Sequence, residues 1–337
     1  MNVNYENMVS WVEDIKERNK SSAAALTVMQ NNRVVFEHYN GTHSNTYDAT
    51  PVNKSSRFNV ASVRKSYLGL TIAFALHEGK IGSLDDLACN YFKNIDPDIF
   101  GHTTIRHLVT HTHGLDETLS GEIIREFPAG EHWAYRGINI RLMTQLIREV
   151  YGISFPELLH KRVFLPMGLK RTKWETEEHD ELVKVIIDPN QSGQDTFGTR
   201  GDGTQSNLFV STRELALWGN LFLNKGRFKG EQIVPQPVIE SAVSIQSPMH
   251  LSKEYPRNGM FWFVQDVPRD KSELGEKVPA GSYQILGVTG PTLLVIPKYN
   301  VVVAKMYNKR YNYGDGNYLY YLREFSNIVA ETFKSSA

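Results

Sequence analysis

The stretch Ser62-Val63-Arg64-Lys65 leads directly into Ser66-Tyr-Leu-Gly-Leu-Thr-Ile-Ala-Phe-Ala-Leu76, and it decides how the chain is interpreted. The second part is apolar on nearly every side, which predicts a helix that runs through the core. The first part is a Ser-x-x-Lys, whose spacing places the Ser62 hydroxyl and the Lys65 amine on one helical face, one turn apart. The sequence therefore predicts a serine and a lysine together at the start of a buried helix.

The start of a helix changes the chemistry of both groups. Backbone N–H groups and the helix dipole favour negative charge near Ser62. Partial burial near the same positive end lowers the pKa of the Lys65 amine. A serine beside a neutral lysine is a nucleophile pair. A chain of this length contains about one Ser-x-x-Lys by chance, so a capping serine beside a solvated lysine is the alternative interpretation.

The composition is that of an ordinary soluble globular protein. The 337 residues are 41% hydrophobic and 22% charged, enough for two domains or one large one. Thirty-seven basic residues balance 37 acidic ones, so no charge footprint for nucleic acid or an anionic membrane is present. The single cysteine, Cys89, has no partner for an internal disulfide.

The first twenty residues predict a helix and not a targeting segment. Charges occur throughout, without the basic and then apolar order of a signal peptide. Apolar residues instead mark one helical face: Met8, Val9, Trp11, Val12 and Ile15. No run approaches the ~18 apolar residues of a membrane span. We therefore expect a cytoplasmic protein that has no membrane partner.

Strand-like segments lie at both ends of the chain. They cover residues 23–29 and 33–39, and then 260–266, 282–287, 293–296 and 301–307. The segment 62–183 is mostly helical in pattern, 188–207 is a long polar loop, and helices follow near 211–223 and 318–333. This order predicts an α/β (α+β) fold, with one antiparallel sheet flanked by N- and C-terminal helices. Residues 1–60 and 205–337 would form the sheet domain, 61–204 an inserted all-helical domain, and the active site would lie between them.

Five stretches in sequence resemble the serine β-lactamase and penicillin-binding-protein superfamily, especially its class C and esterase-like branch. They are Ser62-Val-Arg-Lys65, Gly79-Lys-Ile-Gly-Ser-Leu-Asp-Asp86, Leu108-Val-Thr-His-Thr-His-Gly-Leu115, Phe127-Pro-Ala-Gly130 followed by Tyr135, and Gly287-Val-Thr-Gly290 leading into residues 295–303. Each stretch is short, but their order and spacing match the family over roughly residues 10–310. The resemblance implies a β-lactamase/transpeptidase-like fold.

The resemblance also implies the catalytic roles. Ser62 is the expected nucleophile, Lys65 its proton-accepting partner, and Tyr135 the general base and acid that carries the proton to the leaving group. A phenol has an unperturbed pKa near ~10, and a nearby cation would stabilise the phenolate. The expected reaction is acyl transfer through an acyl-enzyme on a small-molecule ester or amide, without a cofactor or metal.

Two departures from the family motifs bear on the substrate. The family's Tyr-x-Asn is here Tyr135-Arg136-Gly137, and Asn139 is the nearest amide. The basic residue of the Lys/His-Thr-Gly motif is absent, since none occurs from 278 to 295. In penicillin-recognising members that cation pairs with the substrate carboxylate. Its loss favours esterase-like and amide-hydrolase members, including the nylon-oligomer hydrolases, although Arg136 or Arg200 could supply a charge.

The oxyanion hole needs two backbone N–H donors, and the resemblance makes Ser62 one of them. The second follows the last glycine of the sheet motif. If that glycine is Gly290, the donor would be Pro291, which has no N–H. We therefore expect Gly287 and the N–H of Val288. Arg136, Asn139, Gly287 and Trp262 are the candidate substrate contacts.

Three alternatives remain open from the sequence. The chain could be a β-lactamase or D,D-peptidase. It could be a penicillin-binding-like sensor that has lost catalysis. His107 and His111, spaced i, i+4 within a cluster that includes His102 and His113, could instead ligate zinc in a metallohydrolase. Structural histidines at a helix end are the simpler explanation of this cluster.

Overall fold

Strands from the two ends of the chain form one seven-stranded antiparallel sheet. We describe residues 3–92, 95–310 and 317–334 in a computed structural model. The strands are β1 (Ala23–Gln30), β2 (Arg33–Gly41), β3 (Arg57–Asn59), β4 (Leu115–Glu117), β5 (Ile123–Arg125), β6 (Thr172–Trp174), β7 (Leu208–Ser211), β8 (Arg227–Phe228), β9 (Glu231–Gln232), β10 (Arg257–Asn258), β11 (Phe263–Val264), β12 (Tyr283–Leu286), β13 (Thr292–Ile296) and β14 (Val301–Tyr307). The large sheet has the order β10-β11-β12-β13-β14-β1-β2.

The central strands are buried on both faces, and their side chains alternate between two cores. On β14, Val302, Ala304 and Met306 join the larger core, whereas Val301, Val303 and Tyr307 join the smaller one. Successive side chains of a strand point to opposite faces, so this alternation follows from extended geometry. The sequences of these strands are continuous apolar runs because both faces of the sheet are covered.

Helices cover both faces of the sheet. They are α1 (Glu6–Asn19), α2 (Arg64–His77), α3 (Pro97–Phe100), α4 (Ile105–Val109), α5 (Ile138–Tyr151), α6 (Phe155–Leu159), α7 (Leu165–Met167), α8 (Thr212–Leu223), α9 (Gln236–Val243) and α10 (Tyr318–Lys334). Helices α1 and α10 supply the smaller core, while α8 packs on β14, β1 and β13 from the other side. Helix α2 packs against α5, α6 and α9. None of the described helices combines the length and apolar character needed to cross a bilayer.

The predicted antiparallel sheet flanked by terminal helices is confirmed. The segment 62–183 is less helical than expected, because β4, β5 and β6 lie within it and residues 126–137 form no helix. β6 pairs with β7, which pairs with β3, so this small sheet joins the proposed helical insertion to the rest of the chain. The domain boundaries 1–60, 61–204 and 205–337 therefore remain a prediction.

Lys305 lies in the smaller core, although it is a lysine. It is 1% exposed on β14, and its Nζ lies over the rings of Tyr307 and Phe325 at 4.8 and 4.5 Å from their centroids. No carboxylate pairs with it among the described residues. Burial lowers the pKa of the Lys305 amine to about 7, because the charged form loses its hydration.

We expect Lys305→Met to raise the free energy of unfolding at pH 7. The unfolded state binds the lysine proton up to about pH 10.4, whereas the folded state releases it near pH 7. The stability of the native protein therefore rises with pH between these values, by at most about 1.4 kcal/mol per pH unit. Urea unfolding from pH 6.5 to 9.5 should show a flatter profile for Lys305→Met. The exposed Lys298→Met serves as the control, and parallel profiles for wild type and Lys305→Met would refute the argument.

Candidate active site

Ser62 sits on a tight junction between β3 and α2. The preceding residue, Ala61, has a φ of +46°, a left-handed conformation that is unfavourable for a residue with a Cβ. Asn59 holds this conformation, because its Oδ1 accepts a hydrogen bond from Ala61 N at 2.9 Å. A single turn of 3₁₀ helix, Ala61–Val63, then carries Ser62 into α2. The expected serine at a helix start is therefore present, with the chain bent sharply just before it.

The Lys65 amine contacts both other proposed catalytic groups. Its Nζ lies 3.4 Å from Ser62 Oγ, donates a hydrogen bond to the Tyr135 hydroxyl, and stands 3.6 Å from the centre of the Tyr135 ring. Lys65 is only 5% exposed. Burial, and secondly the positive charge of Arg64, hold the pKa of Lys65 well below its usual value. The structure thus brings Ser62, Lys65 and Tyr135 together and favours a neutral amine between them.

Tyr135 differs from the sequence expectation in its protonation. Although 41% of the residue is exposed, its hydroxyl turns inward to Lys65. Burial raises the pKa of Tyr135 to about 12, and a hydrogen bond with Ser62 offsets part of this rise. We expected a nearby cation to stabilise the phenolate, but the lysine is itself disfavoured as a cation. The raised pKa of Tyr135 favours the neutral phenol, and the lowered pKa of Lys65 favours the neutral amine.

His111 packs against the ring of Tyr135. The two rings stack with centroids 4.7 Å apart, and Ala134 N donates to His111 O at 3.0 Å. Asn139, a candidate substrate contact, lies in the core at 0% exposure. Its Nδ2 lies 3.1 Å from His111 Nδ1 and donates to Leu108 O at 2.8 Å. This burial does not fit direct substrate contact, so Asn139 instead orients His111.

The burial of Trp262 also contradicts its predicted contact with substrate. It is fully buried, with its ring between Phe222 and Tyr283 at centroid distances of 5.0 and 5.2 Å. The tryptophan beside the site is Trp133, whose ring centre lies 6.2 Å from that of Tyr135. Its Nε1 donates to Asn258 Oδ1 at 2.9 Å. Trp133 is two residues from Tyr135, and no periodic pattern in the sequence distinguished it from a core aromatic.

Arg136 is held by two carboxylates. Its guanidinium donates to both Glu126 oxygens at 2.9 Å and lies 3.0 Å from Asp116. Bidentate pairing satisfies the charge and the geometry of an arginine. Arg136 is therefore not a free cation that replaces the missing basic residue of the sheet motif.

Gly287 lies directly against the junction before Ser62. A Cβ at this position would stand 2.4 Å from Val60 O, so only glycine fits. Gly287 N donates to Pro291 O at 2.9 Å. By contrast, the N–H groups of Ser62 and Val288 have no hydrogen-bond acceptor within residues 3–92, 95–310 and 317–334. Val288 N is thus not engaged in the sheet, and its assignment as the second oxyanion donor stays a prediction.

The histidines of the cluster make local structural hydrogen bonds. His107 Nδ1 accepts from Thr104 N at 3.1 Å in a capping box, and His113 Nδ1 accepts from Leu115 N at 3.0 Å. Burial lowers the pKa of His107 to about 4 and of His113 to about 3. Across the described residues, no three His, Cys, Asp or Glu side chains converge as metal ligands. This geometry gives the zinc alternative no support.

Two residues at the site were missed in the sequence. Thr289 Oγ1 donates to Asn59 O at 2.9 Å and ties the turn after Gly287 to the serine junction. Glu273 lies close enough for its charge to influence the pKa of Lys65 and of Tyr135. Burial raises the pKa of Glu273 itself to about 8. Both come from polar loop segments, whose sequence gives no periodic signal.

The chain matches known proteins over almost all of its length. The family model described as Beta-lactamase matches residues 9–326. An uncharacterized protein of Alkalihalophilus pseudofirmus is 42% identical over 325 residues, which cover 96% of this chain and 95% of that protein.

Solved structures share the fold at lower identity. EstCE1, described as a hydrolase with promiscuous acyltransferase activity, superposes with a TM-score of 0.74 at 16% identity, covering 96% of this chain and 98% of that one. A mutant of a class C β-lactamase gives a TM-score of 0.74 at 15% identity, covering 100% of this chain and 99% of that one. The family match, together with the Ser62, Lys65 and Tyr135 geometry, leads to one conclusion: the chain belongs to the beta-lactamase family of serine hydrolases.

Proposed function

We propose that this protein hydrolyses an ester or amide through an acyl-enzyme on Ser62, with esterase-like specificity and weak or no β-lactamase activity. The observation that carries the proposal is the buried Lys65 amine, which contacts both Ser62 Oγ and the Tyr135 hydroxyl. A non-catalytic sensor would have no need to keep an amine desolvated at such a cost.

Acylation begins when Ser62 Oγ attacks the carbonyl carbon. Its proton passes to the neutral Lys65 amine, and the carbonyl oxygen takes the negative charge. The N–H groups of Ser62 and Val288 would stabilise this oxyanion. As the intermediate collapses, the Tyr135 hydroxyl protonates the departing oxygen or nitrogen and regains a proton from Lys65. The phenol with a pKa raised to about 12 is well suited to donate to an alkoxide.

Deacylation reverses the proton path. Water attacks the acyl carbon and loses a proton to the Tyr135 and Lys65 pair, and Ser62 Oγ leaves by taking a proton from Lys65. The products are the free acid and the regenerated serine. The three side chains and the two backbone donors supply every protein group that these steps need.

The absence of a cation on the sheet motif supports an esterase-like specificity. β12 and the turn after it hold no Lys or Arg, and Arg136 is held by Glu126 and Asp116. A penicillin or D-Ala-D-Ala carboxylate at the sheet strand would therefore lack its usual partner.

A fluorophosphonate should label Ser62 and abolish turnover of p-nitrophenyl esters. Intact-mass and peptide mass spectrometry would locate the label, and Ser62→Ala should prevent it. The exposed Ser120→Ala is the matched control and should label normally. Labelling that persists in Ser62→Ala, or activity that chelation removes and zinc restores, would overturn the serine mechanism. A folded sample that reacts with neither the fluorophosphonate nor the substrates would favour the hypothesis of a non-catalytic sensor.

Val288→Pro should lower kcat for an ester by about 10²–10³-fold, the usual loss for one oxyanion donor. Proline removes the N–H, whereas Val288→Ala keeps it and should retain most of the activity. Thermal unfolding of both variants would confirm that they fold. Equal activity in Val288→Pro and Val288→Ala would show that another group supplies the second donor.

Short-chain esters should be hydrolysed at least about 10²-fold faster, in kcat/KM, than penicillins or D-Ala-D-Ala peptides. This ratio corresponds to about 2.7 kcal/mol, as expected for one missing charge-assisted contact. Parallel assays with p-nitrophenyl acetate, nitrocefin and a D-Ala-D-Ala peptide measure it. Comparable turnover of the three substrates would contradict the esterase-like assignment.

A further inference from the structure

Arg64 is a half-buried cation beside the proposed site, with no anionic partner in the described part of the chain. It is the first residue of α2, and its Nε donates to Ser206 Oγ at 3.4 Å. Its Nη1 is buried and makes no hydrogen bond, and no carboxylate pairs with the guanidinium. A buried donor without an acceptor is costly, so this nitrogen is a candidate for binding an external group.

Arg64 lines a cavity of about 460 Å³ between the start of α2, one face of α5 and the loop that carries Thr204. Five residues of α5 line the same cavity, and the polar ones that matter here are Arg141, Thr144 and Arg148. Thr144 is 4% exposed, and its Oγ1 is a second buried polar atom without a hydrogen-bond partner. Two residues that line one cavity thus each carry a buried donor without a partner, and both side chains can donate a hydrogen bond to an anion.

The charges around the cavity favour an anionic occupant. Arg141 and Arg148 add two guanidinium groups to its wall, each paired with one carboxylate, at 2.6 Å from Glu117 and 2.7 Å from Asp202. No Asp or Glu lines the cavity itself. With Arg64 unpaired, the net charge of the surrounding groups is positive, and a planar guanidinium matches carboxylate geometry.

The cavity begins close to the proposed catalytic residues. None of Ser62, Lys65 and Tyr135 lines the cavity, but the charge of Arg64, which does line it, is near enough to lower the pKa of Lys65. Gly287 lies against Val60 and Ala61, before the serine. The cavity therefore lies on the α5 side of the serine and not at the sheet motif. A molecule whose carbonyl is at Ser62 could extend into it.

We propose that this cavity is a subsite for a carboxylate on the substrate, bound by Arg64 with the help of Thr144. The substrate class is then an ester or amide that carries a carboxylate away from the bond that is cleaved. This inference rests on the proposed hydrolase function and names the substrate class of the same site.

The test compares esters that differ only in charge. Monoethyl esters of the dicarboxylic acids from glutaric to suberic acid are each paired with an ethyl ester in which methyl replaces the carboxylate. A second series, acetate esters of ω-hydroxy acids and of the matching alcohols, places the charge on the leaving group. Chromatography of the products gives kcat/KM for each pair. We expect at least one chain length to favour the anionic ester by about 10- to 100-fold.

Arg64→Gln should remove this preference, Arg64→Lys should keep part of it, and Thr144→Val should weaken it. The readout is the ratio of the anionic to the neutral rate, because Arg64 also affects the pKa of Lys65 and so both rates together. Arg136→Gln is the matched control, since carboxylates hold Arg136, and its ratio should equal that of wild type.

The outcomes separate this inference from the proposed function. The subsite alone would be overturned if neutral esters are hydrolysed and the fluorophosphonate labels Ser62, but no chain length shows a preference for the anionic ester. A preference that survives Arg64→Gln would also overturn it. A folded protein that neither labels nor hydrolyses any ester would overturn the proposed function itself.

Discussion

The removal of the Lys65 amine from water is the constraint on which the site depends. An amine of this kind costs free energy to bury while charged, and the structure offers it a phenol, a serine hydroxyl and an aromatic face, but no carboxylate ion pair among the described residues. The amine therefore gives up its proton more readily. A neutral amine that is hydrogen-bonded to Tyr135 and lies beside Ser62 could accept the serine proton, as we propose, whereas a carboxylate in contact with the amine would favour its charged form.

The burial is possible because the chain around the serine is fixed from several directions. Asn59 Nδ2 donates to Thr196 Oγ1 and Ser206 O, both at 2.9 Å, while its Oδ1 holds Ala61 N. Thr289, in the turn after β12, donates a hydrogen bond from its Oγ1 to the backbone oxygen of Asn59. One buried asparagine thus joins the serine junction, the long polar loop and the turn after β12. The unfavourable φ of Ala61 is maintained by these contacts, and the strands behind them are buried on both faces.

Much of the fold could be predicted, because its strands and helices carry periodic apolar patterns. The segment 301–307 was predicted as a strand and is β14, and the helix expected at 318–333 is α10. The short strands β4, β5 and β6 were missed, since three residues give no period to detect. At the candidate site, spacing along one helix predicted that the side chains of Ser62 and Lys65 lie together, and they are 3.4 Å apart. Trp262 was misassigned and Glu273 missed, because the burial of an aromatic and the approach of a loop depend on tertiary packing.

The distribution of charge would couple the proposed carboxylate binding to the proposed chemistry. Carboxylates neutralise Arg136, whereas Arg64 is unpaired within the described residues, and its charge is one cause of the lowered pKa of Lys65. An anion bound to Arg64 offsets that charge. Because such coupling is reciprocal, a bound anion would raise the proton affinity of Lys65, the proposed acceptor of the serine proton. A substrate carboxylate at Arg64 would therefore raise the pKa of Lys65 when it binds, which increases both the basicity of the amine and the share of its charged form, and a neutral substrate would not.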